Sequence, residues 1–117
     1  MIKNNQQTVE YYFQEGCYIT ESWNEPQDNA VSIARARVAA NQTTKVHYLK
    51  NTDERYVVIS GTGKVFLDNN APQTVKPGDV VYISAGTHQS IKNEGSADLV
   101  FLAICNPRFT VECYVEV

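Results

Sequence analysis

Apolar and polar residues alternate with a period of two along most of this chain. Ala30 to Ala39 reads AVSIARARVA, with Val31, Ile33, Arg35 and Arg37 on one face and Ser32, Ala34, Ala36 and Val38 on the other. Four further segments, Arg55–Ser60, Lys64–Asp68, Val80–Ser84 and Leu99–Cys105, are short and rich in β-branched and aromatic residues. Side chains of that shape pack well on a pleated surface, so each segment predicts a strand. Turn chemistry falls between them at Gly61-Thr62-Gly63, Asp68-Asn69-Asn70, Pro77-Gly78-Asp79 and Asn93-Glu94-Gly95-Ser96. Closely spaced strands and turns of this kind predict an all-β barrel or sandwich. No segment carries a sustained helical period with caps.

The opening, Gln6 to Pro26, is polar but holds Tyr11, Tyr12, Phe13, Tyr18 and Trp23. Those rings need a surface to bury. One or two outer strands over about 6–26 are expected, either covering the barrel or pairing with a second copy of the chain. At 117 residues, the whole chain is read as one domain, 1–117, with its core barrel at about 30–107.

Composition narrows the partners. A formal net charge of −3 argues against nucleic acid, which calls for a basic face. No apolar run reaches the roughly 18 residues of a membrane span. Met1 to Glu10 lacks the apolar centre of a signal peptide. Cys17, Cys105 and Cys113 form no C-x-x-C pair, and an odd count without a secretory signal predicts reduced, buried thiols in a cytoplasmic protein.

Two stretches carry a family resemblance. One reads His47-x-Leu49-x4-Glu54-x6-Gly61, and the other Gly78-x5-Ser84-x-Gly86-x2-Gln89-x3-Asn93. Their spacing resembles the two motifs of the cupins, G-x5-H-x-H-x3 or 4-E-x6-G and G-x5-P-x-G-x2-H-x3-N. The resemblance covers about Val31 to Pro107. The Cys105-Asn106-Pro107-Arg108-Phe109 tail is similar to that of small, stand-alone conserved-barrel cupins. It implies a double-stranded β-helix, or jelly-roll barrel, with one internal pocket, and a homodimer.

In metal-binding cupins the first motif supplies two histidines and a glutamate and the second supplies one histidine. Here Leu49 and Gln89 stand at two of those four positions. The resemblance therefore implies a degenerate metal set of His47, Glu54 and Gln89, for a zinc, iron, manganese or nickel ion. Leucine cannot coordinate, and a glutamine oxygen is a weak neutral ligand. His88 is the alternative ligand. If it turned inward, His47, Glu54 and His88 would form a two-histidine, one-carboxylate set. Strand parity opposes this: Gln89, Ile91 and Asn93 share one face, and His88, Ser90 and Lys92 the other, unless a bulge intervenes.

The same parity places His47 with Leu49, and Glu54 with Tyr56 and Val58. The expected pocket is therefore His47, Leu49, Glu54, Tyr56 and Gln89. Burial there would perturb the proton affinities of His47 and Glu54, which makes Glu54 the candidate acid–base catalyst and equally allows a structural Glu54–His47 hydrogen bond. Arg35 or Arg37, if inward, would pair with an anionic substrate; solvated or dimer-facing positions are favoured for both. Arg55 is expected outside, Tyr48 and Tyr82 are read as packing residues, and Arg108, just past the last clear strand, is within reach of the pocket mouth, a placement the sequence leaves open. Two functions follow. The preferred one is a barrel that binds a small molecule without a full metal centre. The alternative is a divalent-metal-dependent isomerase- or dioxygenase-like enzyme acting on a small oxygenated substrate.

Overall fold

In the computed structural model, which describes residues 1–117, eleven short strands follow one another with almost no helix. They are β1 (Glu10–Phe13), β2 (Cys17–Trp23), β3 (Ser32–Val38), β4 (His47–Leu49), β5 (Asp53–Ser60), β6 (Gly63–Leu67), β7 (Gln73–Val75), β8 (Val80–Ile83), β9 (Gln89–Asn93), β10 (Leu99–Asn106) and β11 (Tyr114–Glu116). A six-stranded sheet runs in the order β1-β2-β3-β10-β5-β8, and a five-stranded sheet in the order β11-β4-β9-β6-β7. Every pairing between these strands is antiparallel. The result is an all-β, two-sheet barrel, the architecture that the motif resemblance implies. No helix is long and apolar enough to cross a membrane.

Period-two patterning decides which side chains reach the interior. On β5 Glu54, Tyr56 and Val58 are buried, while Ile59 and Ser60 lie open to solvent. On β9 Gln89, Ile91 and Asn93 face in, and on β10 so do Leu99, Phe101, Ala103 and Cys105. Register then sets depth. Cys105 lies opposite Glu54, Ala103 opposite Tyr56 and Phe101 opposite Val58. The main core joins Val38, Val58, Val65, Ile91 and Leu99 at one end of the barrel. A smaller cluster at the other end joins Leu49, Cys105, Cys113 and Tyr114, with Phe13 and Phe109 packed against it. The strands β4, β7 and β11 are three residues each, too short to carry a period in the sequence.

Two backbone positions explain the motif punctuation. Gly61, at the β5–β6 turn, has φ +86, and a Cβ there would lie 2.7 Å from the Asp98 carbonyl oxygen. Only glycine meets both demands. Asn41, six residues before His47, holds φ 66. Asparagine tolerates the left-handed region better than most residues and so serves there.

The N-terminal aromatics divide between two tasks. The β1–β2 hairpin pairs with the edge of β3, and Tyr11 and Phe13 turn towards the barrel mouth. Phe13 packs edge-on against Phe109 and Tyr114, with centroids 6.1 and 5.1 Å away. Tyr12 remains exposed.

Candidate functional site

The mouth of the barrel holds a cavity of about 50 Å³ lined by 16 residues, 11 of them hydrophobic. The six-stranded sheet builds its floor through Ala34 and Ala36 of β3, Glu54 and Tyr56 of β5, and Phe101 and Ala103 of β10. The β1–β2 hairpin closes it with Tyr11, Phe13, Glu15 and Glu21. Small residues on β3 and β10 leave the space. The 106–109 tail borders it, fixed by Phe109 N–H donating to Ser32 Oγ at 2.8 Å and by Asn24 Nδ2 donating to the Phe109 carbonyl at 2.9 Å.

Of the sequence-derived pocket residues, His47, Leu49, Glu54, Tyr56 and Gln89 are all buried. Glu54 and Tyr56 line the cavity itself. His47 and Gln89 are register partners on β4 and β9 of the opposite sheet. The Tyr56 hydroxyl donates to Gln89 Oε1 across the barrel. Gln89 Nε2 and Glu54 Oε1 are buried and have no hydrogen-bond partner. Glu54 Oε2 receives only a long 3.7 Å contact from the Cys105 thiol. Burial holds the Glu54 carboxyl at a pKa of about 7, with Gln89 and Cys105 pulling part of the way back. At neutral pH this group can both give and take a proton.

The expected Glu54–His47 hydrogen bond is not formed. His47 Nδ1 instead meets the Lys45 carbonyl at 2.8 Å, which makes it the protonated nitrogen of a neutral ring. Its Nε2 faces Glu15 Oε2 at 3.8 Å, too far for a hydrogen bond. The ring stacks on Tyr114 at 4.9 Å. Burial lowers the His47 pKa and so disfavours its charged form. Glu15 is pushed up to about 8, first by burial and then by the charge of Glu54. Sequence reasoning did not single out Glu15, because it lies in a turn where no alternation assigns a face. An acid one residue before Gly16, between aromatic strands, was its only signal.

His88 is exposed and stacks on Tyr48 outside the barrel, with ring centroids 5.3 Å apart. The two-histidine, one-carboxylate set therefore does not assemble. His47, Glu54 and Gln89 do not fit a metal ion either. The Gln89 oxygen is engaged by Tyr56, leaving its amide nitrogen, a donor, as the free group. No group of three histidine, cysteine, aspartate or glutamate side chains is disposed to hold a metal. A transition-metal site needs three strong ligands.

Both β3 arginines point away from the cavity. Arg35 is exposed. Arg37 is held by Glu10 at 2.8 Å and Asp98 at 3.2 Å, and its guanidinium lies 4.2 Å over the Tyr18 ring. Arg55 stacks on Tyr82 on the outer face of the sheet. Arg108 donates to Asn24 Oδ1 at 2.8 Å and does not line the cavity. The inward arginine that an anionic substrate would require is absent from the wall.

Comparison with known proteins agrees with this architecture. Residues 34–105 match the cupin domain family. An oxalate-binding protein of Thermotoga maritima is 35% identical over 72 residues, which make up 62% of this chain and 59% of that protein. An uncharacterized protein of Methanocaldococcus jannaschii is 33% identical over 81 residues, 69% of this chain and 64% of its own length. The chain thus spans about three fifths of each of these relatives. Among solved structures, a variant of Streptomyces PAC13 with uridine superposes with a TM-score of 0.81 at 16% identity, covering 97% of this chain and 88% of that one, a likeness of fold alone. With both motifs, the two-sheet barrel and the family match in agreement, this chain belongs to the cupin domain family.

Proposed function

We propose that this protein binds a small molecule in the barrel mouth and does so without a metal centre. The observation that carries this reading is the cavity of about 50 Å³, mostly apolar, whose wall includes the buried Glu54, a carboxyl with one oxygen left without a hydrogen-bond partner. A largely apolar pocket with a few convergent polar groups is what small-ligand sites have in common. Buried polar atoms without partners are rare in a settled core, and a bound ligand is one way to satisfy them. The resemblance to an oxalate-binding protein supports small-molecule binding in general.

Elemental analysis of tag-free protein tests the metal-free part. Well under one metal per chain is expected, and a stoichiometric transition metal would overturn it. Ala103→Leu tests the location, because Ala103 lines the cavity and a larger side chain would fill it. Loss of ligand binding in a folded variant is expected; unchanged binding places the ligand elsewhere.

A homodimer is part of the same reading. Ile59, Val80 and Tyr82 are exposed large apolar residues on the outer side of neighbouring β5 and β8, a patch that a second copy would cover. A dimeric mass in light scattering is expected, and a monomeric one counts against it. The three unpaired cysteines, all buried, accord with a reducing cytoplasm.

A further inference from the structure

The cavity wall holds carboxyl groups and no basic side chain. Glu15, Glu21 and Glu54 line it, and no lysine or arginine does. Arg37 is held by Glu10 and Asp98 and Arg55 by Tyr82; Arg108 donates to Asn24 and keeps a buried Nε without a partner, but is not among the lining residues. Glu54 is more than nine-tenths buried and lines the cavity, and its Oε1 lacks a donor. Glu15 faces the same space, and the two carboxyls are close enough for each to feel the other's charge. A buried carboxyl oxygen without a donor is costly, and a donor from the ligand would relieve that cost. The remaining wall is aromatic, with Tyr11, Phe13, Phe101 and Phe109 among the lining rings, and ring faces attract cations.

We propose that the pocket takes a small organic cation, an ammonium or amidinium group on a compact apolar body, and that Glu15 and Glu54 select it. This rests on the small-molecule reading above and names the ligand's chemical class. It sets this chain apart from a receptor for a carboxylate dianion, which two acids and no cation would repel. The selecting acid Glu15, with Glu21, comes from the β1–β2 hairpin, outside the residues 34–105 that match the family. The family-matched barrel supplies Glu54; the hairpin supplies Glu15 and closes the space.

The test uses the full chain, ¹⁵N-labelled, titrated with methylammonium and ethylammonium chloride, acetamidinium chloride, sodium acetate, sodium oxalate and neutral acetamide. Saturable shifts of the amides of Glu54, Ala103 and Cys105 are expected with the three cations and not with the two carboxylates. Glu15→Gln keeps the shape and removes the charge. Its affinity for the cations should fall ~10-fold or more, the loss of one charged hydrogen bond. Its melting temperature should be unchanged or higher, since it replaces a carboxyl whose charged form burial and Glu54 disfavour. A purely structural Glu15 would do the reverse, losing stability and leaving ligand preference intact, and that result overturns the proposal. Binding of acetate, oxalate or acetamide in preference to the cations overturns the charge selection and leaves small-molecule binding standing. Failure of every probe to shift any cavity amide overturns both.

Discussion

Two amides on one strand show how differently the two ends of this barrel are built. Gln89 and Asn93 lie on the same face of β9, four residues apart, each 1% exposed. Asn93 is fully engaged. Its Nδ2 donates to the Val38 and Ala97 carbonyls at 2.9 and 2.8 Å, and its Oδ1 accepts from Gly95 N–H at 2.8 Å. Gln89 has its oxygen bonded by Tyr56 and its nitrogen left without a partner. Around Asn93 the neighbours are Val38, Leu99 and Ile91, close-packed and apolar. Around Gln89 they are Glu54, His47 and Tyr56, beside a hollow. A buried amide that is fully bonded is a structural rivet; one that is half-bonded beside a cavity is available. Burial alone does not separate the two, and the hydrogen-bond inventory does.

The contrast breaks first at the closed end. Leu99→Ala removes a side chain that is 0% exposed in the tight core and should cost ~2–5 kcal/mol, read by chemical denaturation. Asn93→Ala leaves two carbonyls and one amide unpaired and should cost roughly 2–4 kcal/mol in the same measurement. A smaller cost for Asn93 than for a comparable change at Gln89 would erase the distinction drawn here.

At the open end the sign reverses. Glu15 and Glu54 titrate in the folded chain near 8 and 7, above their ordinary 4.5. Through that interval the folded state holds protons that the unfolded state has released, so their effect is to lower stability as pH rises. His47 opposes this only below its ordinary 6.5, since its folded pKa is depressed and it must stay neutral to remain buried. Between pH 6.5 and 8 the acids act alone, and the melting temperature should fall. Glu54→Gln should flatten this slope and stabilise the protein at the alkaline side by about 1–3 kcal/mol, the scale of an unsatisfied buried polar group. A slope unchanged in that variant would remove Glu54 from the account. The smallest effect belongs outside. His88→Ala, which loses only an exposed stack on Tyr48, should change stability by less than about 0.5 kcal/mol and leave ligand binding untouched.

Strand parity is the reason so much was legible in advance. Alternation on β5 and β9 was enough to turn Glu54, Tyr56 and Gln89 inward and His88 outward, because a one-residue shift would have exposed Val58 and Ile91. Motif spacing identified the barrel for a related reason: Gly61 marks a place where the backbone itself requires glycine. What stayed hidden lies where neither rule operates. Glu15 sits in a turn, so nothing local says which way it points. The surroundings of His47 are set by packing: its Nδ1 bonds the Lys45 carbonyl, and the carboxyl facing its Nε2 is Glu15, thirty-two positions earlier, not the nearer Glu54. The hollow itself arises from Ala34, Ala36 and Ala103 being small on adjacent strands, a coincidence of register visible only once β3 and β10 are paired.

That pairing has a further consequence, in time rather than in space. β10 is the strand that joins β3 to β5 in the six-stranded sheet, yet it follows β3 by about seventy residues. Neither neighbour can complete its hydrogen-bond ladder on this side until β10 arrives. Contacts so distant along the chain must first meet the entropy of closing the loop between them. Folding should therefore be late and concerted, on the order of milliseconds to seconds, as for other β-barrels rich in non-local pairs. During synthesis β3 and β5 would wait with open edges, and the exposure ends in one step when residues 99–106 leave the ribosome and insert between them.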